Sequence, residues 1–160
     1  MSKQKDEKTN VCRVLDSKKI EYALHTYEPD ATMSGEEIAV TLGEDPEKVF
    51  KTLVTQGKSG AYYVFVVPVK AELDLKKAAK ASGNKSIEMI HVREILDITG
   101  YIRGGCSPIG MKKAYPTFID ETAILSEKIY FSAGKRGVQI ILDPEILAEV
   151  SNAEFCDLTK

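Results

Sequence analysis

"VFKTLVTQGKSGAYYVFVVPV", Val49 to Val69, sets two β-rich runs on either side of a short polar link. Val49–Gln56 and Ala61–Val69, joined through "GKSG", predict a hairpin. In the first run, Val49, Lys51 and Leu53 share one face, and Phe50, Thr52 and Val54 share the other. Both faces read as apolar, which predicts a strand covered on both sides. Lys51 then has to find a partner, give up its proton, or extend along its stem to water. The pattern alone leaves these outcomes open.

The flanking sequence alternates between short helical and short extended signals. Upstream, Thr9 or Asn10 caps a predicted helix over Val11–Lys19, and "IEYALHTY" alternates as a strand with Ile20, Tyr22 and Leu24 on one side. Ser34 and Glu37 have the spacing of a capping box for a helix stopping at Gly43, and Asp45-Pro46 restarts the chain. Downstream, a lysine-rich helix over Asp74–Ser82 ends at Gly83. A strand near Ile87–Ile90 and a helix near Val92–Ile98 follow, stopped by Gly100. Further strands are expected around Thr117–Ile119, Lys128–Ser132 and "VQIIL", then a helix opened by Asp143-Pro144 and a closing strand in "AEFCDL". Hairpins and scattered helices, without a regular βαβ series, predict an α+β fold with a mixed, barrel-like β-sheet and flanking helices. One domain over residues 9–160 is expected after a flexible polar tail over 1–8.

Composition narrows the function. Hydrophobic residues at 43% and charged residues at 29% are the balance of a folded, water-soluble protein. No apolar run approaches the ~18 residues of a membrane span, so no membrane partner is expected. The first ten residues lack the apolar core of a signal peptide, and a cytoplasmic location is expected. Cys12, Cys106 and Cys156 are odd in number and widely spaced, matching neither a disulfide framework nor a zinc site. His25 and His91 lack ligand spacing, so neither a metal nor a cofactor is expected. A net charge of −2 means that any nucleic acid would have to be met by a local basic patch.

The second chemical signal is "GYIRGGCSPIGMKK", Gly100 to Lys113. Gly104 and Gly105 offer adjacent main-chain N–H groups without side-chain cover, suited to an anion or oxyanion, with Tyr101 just before them. A tight turn after a helix stop explains the same glycines equally well. Cys106 as a nucleophile needs a histidine partner and a third orienting group, and neither histidine sits in a supporting loop. Ser107 lacks the second glycine of a nucleophile elbow. "SAGKRG", Ser132 to Gly137, and Lys112-Lys113 supply basic side chains on turns, fit either for phosphate or simply for solvent.

Together "VFKTLV", "LDLKKAAKASG", "TGYIRGGCSPIG" and "SAGKRG", in this order, resemble the YbaK/EbsC family of bacterial trans-editing proteins, related to the insertion domain of prolyl-tRNA synthetase. The resemblance runs from about Ile20 to the C-terminus and is nearest to the Cys-tRNA(Pro) deacylases. It implies hydrolysis of the ester joining a mischarged cysteine to the 3′-terminal adenosine of tRNA(Pro), with the substrate's own thiol attacking its carbonyl. It also implies roles for individual residues. Lys51, Gly104 and Gly105 are the expected catalytic residues. Tyr27, Thr52, Tyr101 and Ser132 are expected to bind substrate, and Ser34 and Gln139 to border the aminoacyl pocket. Lys112, Lys113, Lys135 and Arg136 are the candidate tRNA contacts. The implied partners are the acceptor end of tRNA(Pro) and, transiently, prolyl-tRNA synthetase. Two other functions stay in view: the same reaction on another small amino acid such as alanine, and a non-enzymatic module binding tRNA or the synthetase.

Overall fold

The computed structural model describes residues 8–29 and 33–160. Apart from Lys8, the expected tail over 1–8 lies outside them. Helix α1 (Asn10–Ser17) is capped by Thr9, whose side chain accepts from the Cys12 N–H, and it buries Val11 and Leu15 in the main core. Strand β1 (Ala23–Thr26) is shorter than the alternation predicts, while Ile20, Tyr22 and Leu24 still pack inward. The Ser34–Glu37 capping box forms at the start of α2 (Gly35–Thr41), with both reciprocal hydrogen bonds in place. Asp45-Pro46 makes a turn with no continuing helix.

β2 (Phe50–Gly57) and β3 (Tyr62–Pro68) form the predicted hairpin, with Lys51 opposite Val67. Helix α3 (Leu75–Ser82) runs from its Asp74 cap to Gly83, whose φ of 73° is left-handed. β4 (Ile87–Met89) is followed by a 3-10 turn (Val92–Glu94) and α4 (Ile95–Thr99), closed by Gly100. After the glycine-rich loop come β5 (Thr117–Asp120), a 3-10 turn (Glu121–Leu125), β6 (Ile129–Lys135) and β7 (Val138–Leu142). Helix α5 (Pro144–Ser151), capped by Asp143, and β8 (Glu154–Cys156) complete the chain.

The strands make two sheets, ordered β1-β7-β6 and β4-β2-β3-β5-β8. Antiparallel hairpins combine with parallel β3–β5 and β5–β8 pairings, so the α+β fold and the mixed sheet are as expected. Among the described residues the strands do not close into a barrel. The sheets meet instead at one parallel bridge, Val49 with Tyr130, where the Tyr130 N–H donates to the Lys48 carbonyl at 2.9 Å.

Strand β2 is covered on both faces. Phe50 and Val54 lie in the main core with Val66, Phe131 and Ile140. On the reverse face, Val49 packs with Ala39 of α2 and Val69, and Leu53 packs on Phe65, Val67 and Ala78 of the cluster under α3. Lys51 therefore stands half-buried between two apolar patches. Burying a leucine- or phenylalanine-sized side chain on either side stabilises by roughly 1.5–3 kcal/mol, so β2 is firmly seated and holds its lysine there.

Candidate functional site

The Val49–Tyr130 bridge aligns side chains that lie far apart in sequence. Alternation from it puts Lys51 on the face that carries Tyr130 and Ser132. Ser132 pairs with Gln139, and Gln139 with His25, so these residues form a row across β6, β7 and β1. Tyr27 continues that face, its N–H donating to the Gly137 carbonyl at 2.8 Å. Val138, Ile140 and Leu142 point the other way, into the main core. Lys51, Ser132, Gln139, His25 and Tyr27 thus share the face over which α2 and the following loop lie.

Electrostatics along this row come from burial and a few carboxylates. Burial pulls the Lys51 ammonium below the usual lysine range, and Glu72 and Glu36 push back. Burial raises the Tyr27 phenol, a Gly137 main-chain hydrogen bond opposes it, and Glu44 adds a further upward push. Glu44, with 4% of its side chain exposed, lies 2.5 Å from His25 Nδ1. Its second oxygen accepts from Gln139 Nε2 at 3.3 Å. Gln139 is only 6% exposed, and its Oε1 has no partner among the described residues.

The glycine-rich loop packs against the tip of the β6–β7 hairpin. A Cβ on Gly105 would lie 3.2 Å from both Lys135 Cα and the Arg136 nitrogen, and one on Gly104 would lie 3.0 Å from Arg136 Nε. Arg136 Nε in turn donates to the Arg103 carbonyl at 2.8 Å. The Gly105 N–H is engaged by the Ile102 carbonyl at 3.0 Å, which leaves Gly104, at φ 83°, as the better placed donor of the pair. Among the described residues no acceptor takes the Gly104 N–H. The nearest neighbours of both glycines belong to Lys135 and Arg136, not to Lys51.

Other expected residues sit elsewhere. Thr52 faces the main core with Phe50 and Val54, and its buried Oγ1 lacks a partner among the described residues. Tyr101 is 7% exposed, its hydroxyl donates to the Ile109 carbonyl at 2.6 Å, and its ring packs beside Gly134. It braces the loop instead of lining an opening. Ser34 Oγ is occupied as the α2 cap. Lys112 Nζ donates to the Asp97 carbonyl at 3.2 Å, while Lys113 and Lys135 are exposed. Lys112, Arg136 and Lys135 therefore border the Gly100–Gly105 segment. Cys106 is buried, its thiol pushed up to about 11 by desolvation, with Thr99 Oγ1 at 4.0 Å. No base contacts it among the described residues, so nothing there makes a nucleophile.

Two surface depressions are present, the smaller of them opening beside the Val49–Tyr130 bridge. One of about 610 Å³ is lined by Asp16, Glu21 and Tyr22, and another of about 360 Å³ by Lys48, Glu127 and Tyr130. Glu44, a residue of the shared face, gives no signal in the sequence, because "LGEDPE" reads as an acidic turn. His25 is legible there only as a metal ligand lacking the right spacing, or as a base for Cys106 lacking a supporting loop.

The face thus carries one cation, hydroxyl-bearing side chains, an unpartnered amide carbonyl and an acid–imidazole pair, while the glycine loop, exposed at Gly104 and buried from Gly105 to Ile109, packs on the β6–β7 hairpin tip among basic residues. Among the described residues, nothing in this arrangement activates a protein nucleophile, since Cys106 is buried with its thiol pushed up to about 11. The aminoacyl-tRNA editing domain matches residues 28–150, and the chain belongs to that family. A protein of Enterococcus faecalis (strain ATCC 700802 / V583), provisionally named Cys-tRNA(Pro)/Cys-tRNA(Cys) deacylase EbsC, is 46% identical over 99% of this chain and 98% of its own. A stretch covering 48% of this chain is 32% identical to 13% of a proline–tRNA ligase of Thermosipho melanesiensis (strain DSM 12029 / CIP 104789 / BI429). A solved structure, provisionally assigned as a trans-editing enzyme for prolyl tRNA synthetase, superposes with a TM-score of 0.83 at 25% identity. It covers 94% of this chain and 95% of that one.

Proposed function

We propose that this protein is an aminoacyl-tRNA deacylase that releases cysteine from mischarged tRNA(Pro). The observation carrying the reading is the family match across residues 28–150, which encloses Lys51, the Gly104 loop, Ser132 and Gln139, in a chain 46% identical end to end to the Enterococcus protein. Lys51 holds the terminal nucleotide or the acyl group by charge and hydrogen bonds. Gly104 offers its N–H to the ester oxygen, where one well-placed donor is worth roughly 3–4 kcal/mol in the transition state. Lys112, Lys113, Lys135 and Arg136 meet acceptor-stem phosphates around the loop.

The nucleophile is the substrate's own thiol. Its sulfur attacks the ester carbonyl carbon, a C–S bond forms, and the C–O bond to the ribose breaks. The thiol proton ends on the departing ribose oxygen. The released four-membered thiolactone is then opened by water to free cysteine. A thiol is already a competent nucleophile near neutral pH, and orientation of the reacting atoms supplies much of the rate. The buried Cys106 has no part in this scheme.

Purified protein is incubated with Cys-tRNA(Pro), Cys-tRNA(Cys) and Ala-tRNA(Pro). Fast loss of both cysteinyl esters and background loss of the alanyl ester is expected. Equal, background-level loss of all three ends the reading, and preferential loss of alanine transfers it to the alanyl ester. Tight tRNA binding with no turnover would instead mark a binding module. The tRNA substrate puts the reaction in the cytoplasm. A net charge of −2 favours a brief encounter aided by prolyl-tRNA synthetase, and co-purification with that enzyme in the presence of tRNA tests the association.

A further inference from the structure

Glu44 and Gln139 are 95 positions apart in the chain and in contact in the fold. A carboxylate only accepts hydrogen bonds, so the end of the Gln139 amide turned toward Glu44 has to be its NH2 group. The opposite orientation would set two oxygens against each other. The amide is therefore locked with Oε1 facing away from Glu44, buried and without a partner among the described residues. Such an atom is costly unless something supplies a donor. Glu44 is itself held by His25, whose Nδ1–H donates to the other oxygen. His25, Gln139 and Ser132 are direct neighbours across β1, β7 and β6, on the face that carries Lys51.

We propose that Glu44, steadied by His25, is a positioning residue: it fixes the Gln139 amide so that Oε1 accepts a hydrogen bond from an N–H or S–H donor of the bound aminoacyl group. The inference rests on the deacylase reading. Glu44 touches no substrate atom. It acts by removing the amide's freedom to flip.

The test uses the full chain and the hydrolysis-resistant amide analogue of 3′-cysteinyl adenosine, with binding followed by calorimetry. Gln139→Leu and Glu44→Leu are each expected to weaken binding about tenfold, the scale of one lost hydrogen bond. Because they break the same interaction, the double variant should bind no more weakly than Gln139→Leu alone. Two truncated probes, one lacking the α-amino group and one lacking the thiol, identify the donor: the probe without it binds wild type and Gln139→Leu alike. Additive losses, wild-type binding by a folded Glu44→Leu protein, or equal sensitivity of both truncated probes to Gln139→Leu overturns the inference alone. Absence of any binding by the wild type overturns both it and the deacylase reading. Should Glu44→Leu fail to fold, the Gln139 side-chain carbonyl carbon resonance of the wild type decides. It shifts on probe binding if Oε1 receives a donor, and a resonance that stays in place overturns the inference.

Discussion

Lys51 and Ser132 each stand two residues beyond the Val49–Tyr130 bridge, on strands running in the same direction, and so occupy one face. The bridge is where the three-stranded and five-stranded sheets meet. It brings the half-buried cation of one sheet alongside the polar row of the other.

Replacing Lys51 should separate activity from stability. Lys51→Met keeps the apolar stem that fills the space between the α2 and α3 patches and removes only the charge. A hydrogen bond from a charged donor is worth about 1.5–3 kcal/mol, so deacylation should fall by roughly 10- to 150-fold. The melting temperature should hold or rise, because a desolvated cation has been removed. Paired kinetics and thermal melts measure this, and a variant both folded and fully active excludes Lys51 from the site.

The pH dependence of the same residue has a defined sign. Its folded pKa lies below the ordinary 10.5, so below the folded value Lys51 is charged in both states and the burial penalty applies in full. Between the lowered value and 10.5 the unfolded chain binds the proton that the folded chain has released. Stability contributed by Lys51 therefore rises with pH through that window. Binding of the amide analogue should move in the opposite sense, weakening as Lys51 loses its charge before pH 10.5. Lys51→Arg, whose guanidinium stays protonated, should flatten that decline in a titration followed by calorimetry.

Cys106→Ala should leave deacylation within about twofold of wild type, since its buried thiol, with a pKa pushed up to about 11, is scarcely ionised at neutral pH. Iodoacetamide at neutral pH should likewise leave the rate unchanged over the time in which an exposed thiol is alkylated. Inactivation of a folded Cys106→Ala protein would assign the thiol a chemical role.

Gly105→Ala should act through packing. Its new Cβ meets main-chain atoms of Lys135 and Arg136 at 3.2 Å, where no flexible side chain can yield. Overpacking of this kind costs typically 1–3 kcal/mol. For a chain of this size each kcal/mol lowers Tm by roughly 2–4 °C. Gly104→Ala meets only the movable Arg136 side chain but carries a left-handed φ of 83°, costing roughly 1–2 kcal/mol. Thermal melts of the two variants check both values.

Lys135→Ala and Arg136→Ala should weaken tRNA binding without changing the preference for cysteine. Removing one phosphate-neutralising side chain should flatten the slope of log K against log salt by about 0.7–0.9. Binding across a salt series measures it, and an unchanged slope removes that side chain from the tRNA surface.

The short-range features of this protein were legible from neighbouring residues. The Ser34–Glu37 capping box, the helix start at Asp143-Pro144, the helix stops at Gly83 and Gly100 and the Val49–Val69 hairpin all depend on groups a few positions apart. Lys51 announced itself because a cation inside two apolar alternations is out of place on either face. The motif order, an inference from resemblance, pointed to the family. What only the tertiary structure decided is who faces whom. Parallel pairing of β3, β5 and β8, the bridge placing Ser132 beside the Lys51 strand and the Glu44–Gln139 hydrogen bond each join segments distant in the chain. Such pairings arise when packing selects one arrangement of finished elements, and no local pattern of side chains encodes that choice. For the same reason Glu44 reads as an ordinary turn acid until the fold sets it against an amide whose oxygen has no partner among the described residues.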